Sequence, residues 1–326
     1  MTDQTFLDNF QEEERRGRFV LVDGHALIYR AYHAFPALTN SAGQLVNAVY
    51  GFSRILLNAI NDFGPEYIAV AFDHKAPTKR SETFVAYKAH RPKMPDDLVP
   101  QIDIIKDVID VLNIPRFEQA GYEADDLIGT VAARLTLEKN PTQSGELLTT
   151  IVTGDKDMLQ LVDDDTHVFI PGRGKFSRDI EYNEDTVMEK LGIHPNQVVD
   201  FKALMGDPSD NIPGVKGVGK KTAQKLIQTF GTLDQLYTAV ETGSQPELLK
   251  GALLDKLKAE KTTAYLSQEL ATILRDIPID FSLESCRVSE YDKTKVVELF
   301  KTHDFNSLIR LLPNDKFEQG VQDALF

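Results

Sequence analysis

The sequence predicts an α/β fold, a mostly parallel central sheet flanked by helices, and three observations carry that expectation. Phe19-Val-Leu-Val-Asp23, Tyr67-Ile-Ala-Val-Ala-Phe-Asp73 and Leu147-Leu-Thr-Thr-Ile-Val-Thr153 are near-continuous apolar runs of strand length, the pattern of strands covered on both faces. The segments between them space their apolar residues by three and four, so strands and helices alternate. Each run also finishes at or beside an acid, Asp23, Asp73 or Asp155. Sites in parallel sheets form beyond the carboxyl ends of the strands. Such a sheet would gather onto one edge acids that lie far apart in the chain.

Taken in order, a polar leader precedes the first strand, which ends in an acid and a turn at Gly24. Residues 48–61 have helical spacing through Val49, Phe52, Ile55, Leu56 and Ile60, and Gly64-Pro65 breaks the chain. After the second strand comes a basic stretch, then a helix around 98–112 through Leu98, Ile102, Ile105, Val108, Ile109 and Leu112. Pro115-Arg-Phe-Glu118 is a short segment. Gly121-Tyr-Glu-Ala-Asp-Asp-Leu-Ile-Gly129 then opens a helix with Ala124, Leu127, Ile128, Val131 and Leu135 on its buried face. The third strand runs into Gly154-Asp-Lys-Asp157 and a helix through Leu161. Residues 168–170 and 180–182 suggest edge strands around a turn-rich 171–174. From about 186 onward the pattern turns helical, with helices around 252–275 and 294–312. The expected division is an α/β domain over 1–190, with a basic arch at about 75–100, and a helical region over 191–326.

Composition excludes several classes. One cysteine in 326 residues, Cys286, rules out an internal disulfide and a four-cysteine zinc site; a reducing, cytoplasmic setting is expected. Residues 1–18 lack the apolar stretch of a signal peptide, and no run approaches the roughly 18 apolar residues of a membrane span. A net charge of −14 argues at first against a nucleic-acid partner. That figure is only a sum, and distribution decides.

Nine acids stand out at the ends of apolar runs or in turns: Asp23, Asp73, Glu123, Asp125, Asp126, Asp155, Asp157, Asp207 and Asp210. Any one alone would pass for a helix cap or a surface residue. Together in one dry pocket they would repel strongly unless cations joined them. Oxygen-only donors select Mg²⁺ or Mn²⁺ over zinc, and a pair of such ions suits phosphodiester hydrolysis. On the opening helix Glu123 and Asp126 share a side, while Asp125 projects about 100° from Asp126.

Positive charge is concentrated elsewhere. Residues 75–93 hold Lys75, Lys79, Arg80, Lys88, Arg91 and Lys93 against one acid, Glu82, a local balance of +5. Phe84 and Tyr87 are interleaved, which suits stacking on unpaired bases. Gly206-Asp-Pro-Ser-Asp-Asn-Ile-Pro-Gly214 is a turn cluster, and Gly217-Val-Gly219-Lys220-Lys221 opens a helix through Leu226 and Ile227. With Gly214 before it, the stretch at about 206–230 has the form of a helix–hairpin–helix, which grips a phosphate backbone without reading bases.

Val22-Asp23-Gly24, Ala71-Phe72-Asp73, Tyr122-Glu-Ala-Asp-Asp126, Thr153-Gly-Asp-Lys-Asp157 and residues 206–214 together resemble, in unbroken order over about 19–290, the motif series of the 5′-nuclease (flap endonuclease) family. The likeness is nearest to the branch found at the N-terminus of bacterial DNA polymerases. The resemblance implies a PIN-like 5′-nuclease fold and a monomeric enzyme of replication and repair. Its DNA would carry a 5′ flap, a nick, a 5′ end or an RNA primer. It also implies two or three Mg²⁺ ions, with Mn²⁺ as substitute, held by the nine acids. Lys88 and Arg91 match arch residues that contact the scissile phosphate, with Tyr87 beside them to stack on the terminal base. Lys79, Arg80 and Lys93 would join the DNA contacts, as would Gly214, Gly217, Gly219, Lys220 and Lys221. In that family the hairpin often holds K⁺ on backbone carbonyls. No polymerase is expected within 326 residues. A PIN-type ribonuclease, a metal-dependent phosphatase and a non-catalytic DNA scaffold are the rival readings.

Overall fold

The computed structural model describes residues 16–138, 147–172, 177–244 and 247–313. The polar leader up to residue 15 and the segment after 313 lie outside these. Among the described residues a six-stranded sheet has the order β3-β2-β1-β4-β5-β6. Its strands are β1 Gly17–Asp23, β2 Tyr67–Phe72, β3 Arg116–Glu118, β4 Leu147–Val152, β5 Thr166–Ile170 and β6 Ile180–Tyr182. All neighbours run parallel except β5 and β6.

The apolar runs become the central strands because each face of the sheet has a cover. Val20, Val22, Ile68, Val70, Phe72 and Val152 enter one core, beneath α1 Gly24–Ala34, α2 Asn47–Phe63 and α4 Val99–Val111. Phe19, Leu21, Tyr67, Ala69, Ala71 and Ile151 enter the other, beneath α5 Ala124–Glu138. The alternation is the two-residue period of a strand. Gly24 lets α1 start close to β2, since a Cβ there would lie 2.6 Å from the Phe72 ring. A five-residue helix, α3 Lys79–Thr83, is the only α-helix in the described basic segment, and turns make up most of the remainder. The basic helical arch expected at about 75–100 is thus mostly turn rather than helix over 75–93.

Beyond the sheet come α6 Glu184–Leu191, α7 Val198–Met205, α8 Lys220–Phe230, α9 Leu233–Thr242, α10 Gly251–Ala259 and α11 Lys261–Ala271. Their apolar faces, apart from most of α6, build a third core. Three expectations are corrected. Gly24 opens α1 rather than a turn, because the Asp23 carboxylate accepts the Ala26 N–H at 3.1 Å and caps a helix directly after the strand. The helix expected at 252–275 breaks at Glu260 and stops at Ala271. There the side chains of Gln160, Asp126 and Thr130 take the backbone N–H groups of Ile273, Leu274 and Ile277 and draw the chain out as a strap. The helix expected at 294–312 ends as α12 Lys293–Thr302. Asp304 then adopts φ +63°, and Phe305 and Leu308 turn back into the first core.

Candidate active site

The carboxyl edge of the sheet gathers the strand-end acids. Asp23, at the end of β1, accepts the Thr153 hydroxyl at 2.6 Å; the same hydroxyl oxygen accepts the Asp155 N–H at 2.9 Å, and Asp155 in turn accepts the Asp157 N–H at 2.9 Å. One threonine at the end of β4 therefore sets the spacing of two acids. Asp73, just past β2, accepts the Ala124 N–H at 2.8 Å, so it caps the start of α5. Its own N–H donates to His25 Nδ1 at 3.0 Å. Burial pushes the Asp23 carboxyl up to about 7, reinforced by the charges of Asp73 and Asp155. Burial and then Asp155 and Asp23 push Asp125 well above the carboxylate range, and burial and then Asp155 raise Asp157 to about 6. These acids share one pocket and feel one another.

The other acids, and Asp157 with them, already have cations. Glu123 accepts from Lys88 at 2.9 Å, from Tyr87 at 3.2 Å and from Arg80 at 3.3 Å. Asp126, 1% exposed, takes both Arg80 guanidinium nitrogens at 2.6 and 2.8 Å and the N–H groups of Glu123 and Leu274. Four donors meet its two oxygens. Asp210 pairs with Arg91 and lies 3.7 Å from Lys88. Asp157 and Asp207 share Lys202, at 2.6 Å from Asp207. Lys202 was missing from the sequence reading. Its signal was a lysine inside the helix Val-Val-Asp-Phe-Lys-Ala-Leu-Met, apolar apart from it and Asp200.

As they stand, no three His, Cys, Asp or Glu side chains among the described residues are gathered to hold one metal ion. The fit is chemical. Asp23 is buried and Asp125 and Asp157 half-buried, all oxygen-only donors whose carboxyls are pushed up first by burial and then by neighbouring acids, and a divalent cation relieves that repulsion.

Tyr87 does not offer a stacking face. It is 6% exposed, packed on Ile212, Leu270 and Ala271, and its hydroxyl donates to Glu123. Phe84 packs against the same cluster, whereas Val85 is 83% exposed. Arg80, expected at the DNA, donates to Glu123, Asp126 and the Thr272 carbonyl, so its cation faces inward. Lys79 reaches the Tyr122 hydroxyl at 2.5 Å, and Lys93 is exposed beside Asp96. The backbone of the segment is clasped to the 206–214 turn. Lys88, at φ +53°, donates its N–H to the Asp210 carbonyl at 2.9 Å, and the Asn211 amide donates to the Ala86 carbonyl at 2.7 Å.

The hairpin begins at Gly214, φ +63°, where a Cβ would lie 2.3 Å from the Gly206 nitrogen. Its N–H donates to the buried Ser267 hydroxyl on α11 at 3.0 Å. Gly217 has φ +79°, and the space a Cβ would take is filled by the Lys256 ammonium, 2.5 Å away. Gly219 caps α8 without a side-chain bond, which leaves first-turn N–H groups open beside the exposed Lys220 and Lys221.

A parallel sheet with acids on its carboxyl edge, followed by a helical unit with a glycine hairpin, defines a class: a resolvase-like domain joined to a SAM-type domain. Residues 18–192 match the 5′-3′ exonuclease, N-terminal resolvase-like domain, and residues 193–294 the 5′-3′ exonuclease, C-terminal SAM fold. The chain belongs to the 5′-3′ exonuclease family. It is 41% identical over 311 residues to DNA polymerase I of Bacillus subtilis, covering 95% of this chain and 34% of that one. Against DNA polymerase I of Caldicellulosiruptor bescii it is 40% identical over 297 residues, covering 90% and 33%. The chain spans about a third of the length of these relatives. In fold it is similar to T5 5′-exonuclease, solved with divalent zinc (TM-score 0.60, 20% identity, 94% and 98% coverage), and to the catalytic core of Rad2 in complex with DNA substrate (0.60, 17%, 92% and 94%). No helix among the described residues is long and apolar enough to cross a membrane.

Proposed function

We propose that the chain is a structure-specific 5′→3′ exonuclease and 5′-flap endonuclease acting on DNA in replication, including RNA primer removal, and in repair. The observation that carries this is the cluster of Asp23, Asp125, Asp155 and Asp157 at the sheet edge, beside acids paired with the cations of the arch. Asp23, Asp73, Glu123, Asp125, Asp155, Asp157, Asp207 and Asp210 would hold two or three Mg²⁺ or Mn²⁺ ions, which supply the charge that activates a water and offsets the leaving oxygen. Lys88 and Arg91 hold carboxylates in the free enzyme and would turn to the scissile phosphate when DNA arrives. Tyr87 orients Glu123 rather than a base. The duplex would lie on Gly214, Gly217, Gly219, Lys220 and Lys221, with K⁺ on the hairpin carbonyls, and the 5′ strand would pass Lys79 and Lys93. The enzyme would act as a cytoplasmic monomer.

A labelled 5′-flap duplex incubated with Mg²⁺ or with EDTA tests this. Cleavage near the flap junction, abolished by EDTA, is expected. No Mg²⁺-dependent cleavage overturns the reading, and faster cleavage of single-stranded RNA would favour the ribonuclease rival.

A further inference from the structure

We propose that Lys202 is a resident cation of the acid pocket, placed so that a divalent ion at Asp157 and Asp207 must compete with an ammonium for the same carboxylate oxygens. The inference rests on the divalent-ion reading given under Proposed function. Lys202 is 7% exposed and projects from α7, a helix packed against α11. Its ammonium pairs with Asp157 Oδ1 and stands 2.6 Å from Asp207 Oδ2. The two acids belong to separate motifs, one in the 3₁₀ turn Asp157–Leu161 after β4 and the other in the turn after α7. The ammonium is what joins them.

The other half of the pocket is built differently. Among the described residues Asp23, Asp125 and Asp155 form no ion pair with a lysine or arginine; they meet a threonine hydroxyl, backbone N–H groups and one another's charge, and Lys88 acts on Asp125 and Arg91 on Asp155 only from beyond ion-pair distance. A divalent ion entering that inner half meets carboxyls that have no ion-paired ammonium to displace. An ion entering the outer half finds carboxylates already neutralised, and must share or displace the lysine. Lys88 and Arg91 also cover acids, but the arch that carries them is surface chain and Arg91 is half exposed. Lys202 is fixed inside a helical core and has little room to swing away. It therefore sets unequal affinities for the two halves. It also keeps the outer pair from flying apart when no divalent ion is present.

Calorimetric titration of MnCl₂ into the metal-stripped full chain, without DNA, tests this independently of catalysis. Wild type is expected to show a tight and a weak class of site. In Lys202→Met the weak class should tighten about tenfold or more, or appear where wild type shows only one class. Lys202→Arg, which keeps the charge, should stay near wild type. If wild type binds no Mn²⁺, the divalent reading itself falls, and this inference with it. If wild type binds Mn²⁺ but Lys202→Met is unchanged or weaker, this inference alone is overturned. Should Lys202→Met fail to fold, the charge-free Asp157→Asn, Lys202→Met, Asp207→Asn variant decides. Loss of the weak class with the tight class intact supports the proposal, and retention of both overturns it.

Discussion

Asp23 shows how a single side chain carries conflicting demands. It caps α1, takes the Thr153 hydroxyl, and sits among other acids with its carboxyl pushed up to about 7. In the unfolded chain an aspartate titrates near its ordinary value of about 3.9. Between the two values the folded state binds more protons than the unfolded one, so this group's contribution to stability falls as pH rises from about 4 to 7. Without metal, Asp23→Asn keeps one acceptor oxygen, turns the other position into an amide N–H that can donate to the Thr153 hydroxyl oxygen, and removes the charge. In EDTA at pH 7.5 the variant should therefore be more stable than the parent, on the order of a few kcal/mol, and the advantage should vanish by pH 4. Urea unfolding at the two pH values measures it. A variant less stable than the parent at pH 7.5 would mean that the pocket does not repel as described.

At the scale of elements, the hairpin and α11 form one device. Ser267 on α11 holds the Gly214 N–H, and two residues past Ala271 the chain reaches the Gln160 and Asp126 side chains. The strap from 272 onward thus connects the hairpin's support to α5, which bears Asp125 and begins just after Glu123. The hairpin itself presents open N–H groups and exposed lysines, a geometry that suits phosphates and reads no base. Lys220→Ala with Lys221→Ala should weaken duplex binding and reduce the slope of log K against log salt by about 2, while flap cleavage at saturating DNA is largely retained. Fluorescence anisotropy across a salt series checks this. An unchanged slope would remove the hairpin from the duplex contact.

For the whole molecule, α12 and the turns after it belong to the first core even though they lie at the far end of the described chain. Val296, Phe300, Phe305 and Leu308 are buried against residues of α2 and α4. Asp304 accepts the Ser41 N–H at 2.6 Å and so pins the loop between α1 and α2. Phe300→Ala should lower stability by about 3–5 kcal/mol, with one cooperative transition by urea rather than loss of a peripheral helix. A separate early transition would show the segment to be an appendage.

The sequence alone determined the strand–helix alternation, the parallel sheet and the acids at its carboxyl edge, because continuous apolar runs and strand-end acids are local signals. The basic stretch and the glycine hairpin were legible for the same reason, since charge density and turn residues need no partner to be recognised. Partnership was decided only by tertiary structure. Arg80 and Lys88 lie in the same basic stretch, yet one is bound into Asp126 and the other spans Glu123 and Asp210. Tyr87 has the composition of a stacking residue and the burial of a core one. Lys202 looked like any helical lysine until folding placed it between Asp157 and Asp207. A charge acquires its role from the nearest opposite charge and from the water excluded around it, and neither is fixed by spacing along the chain.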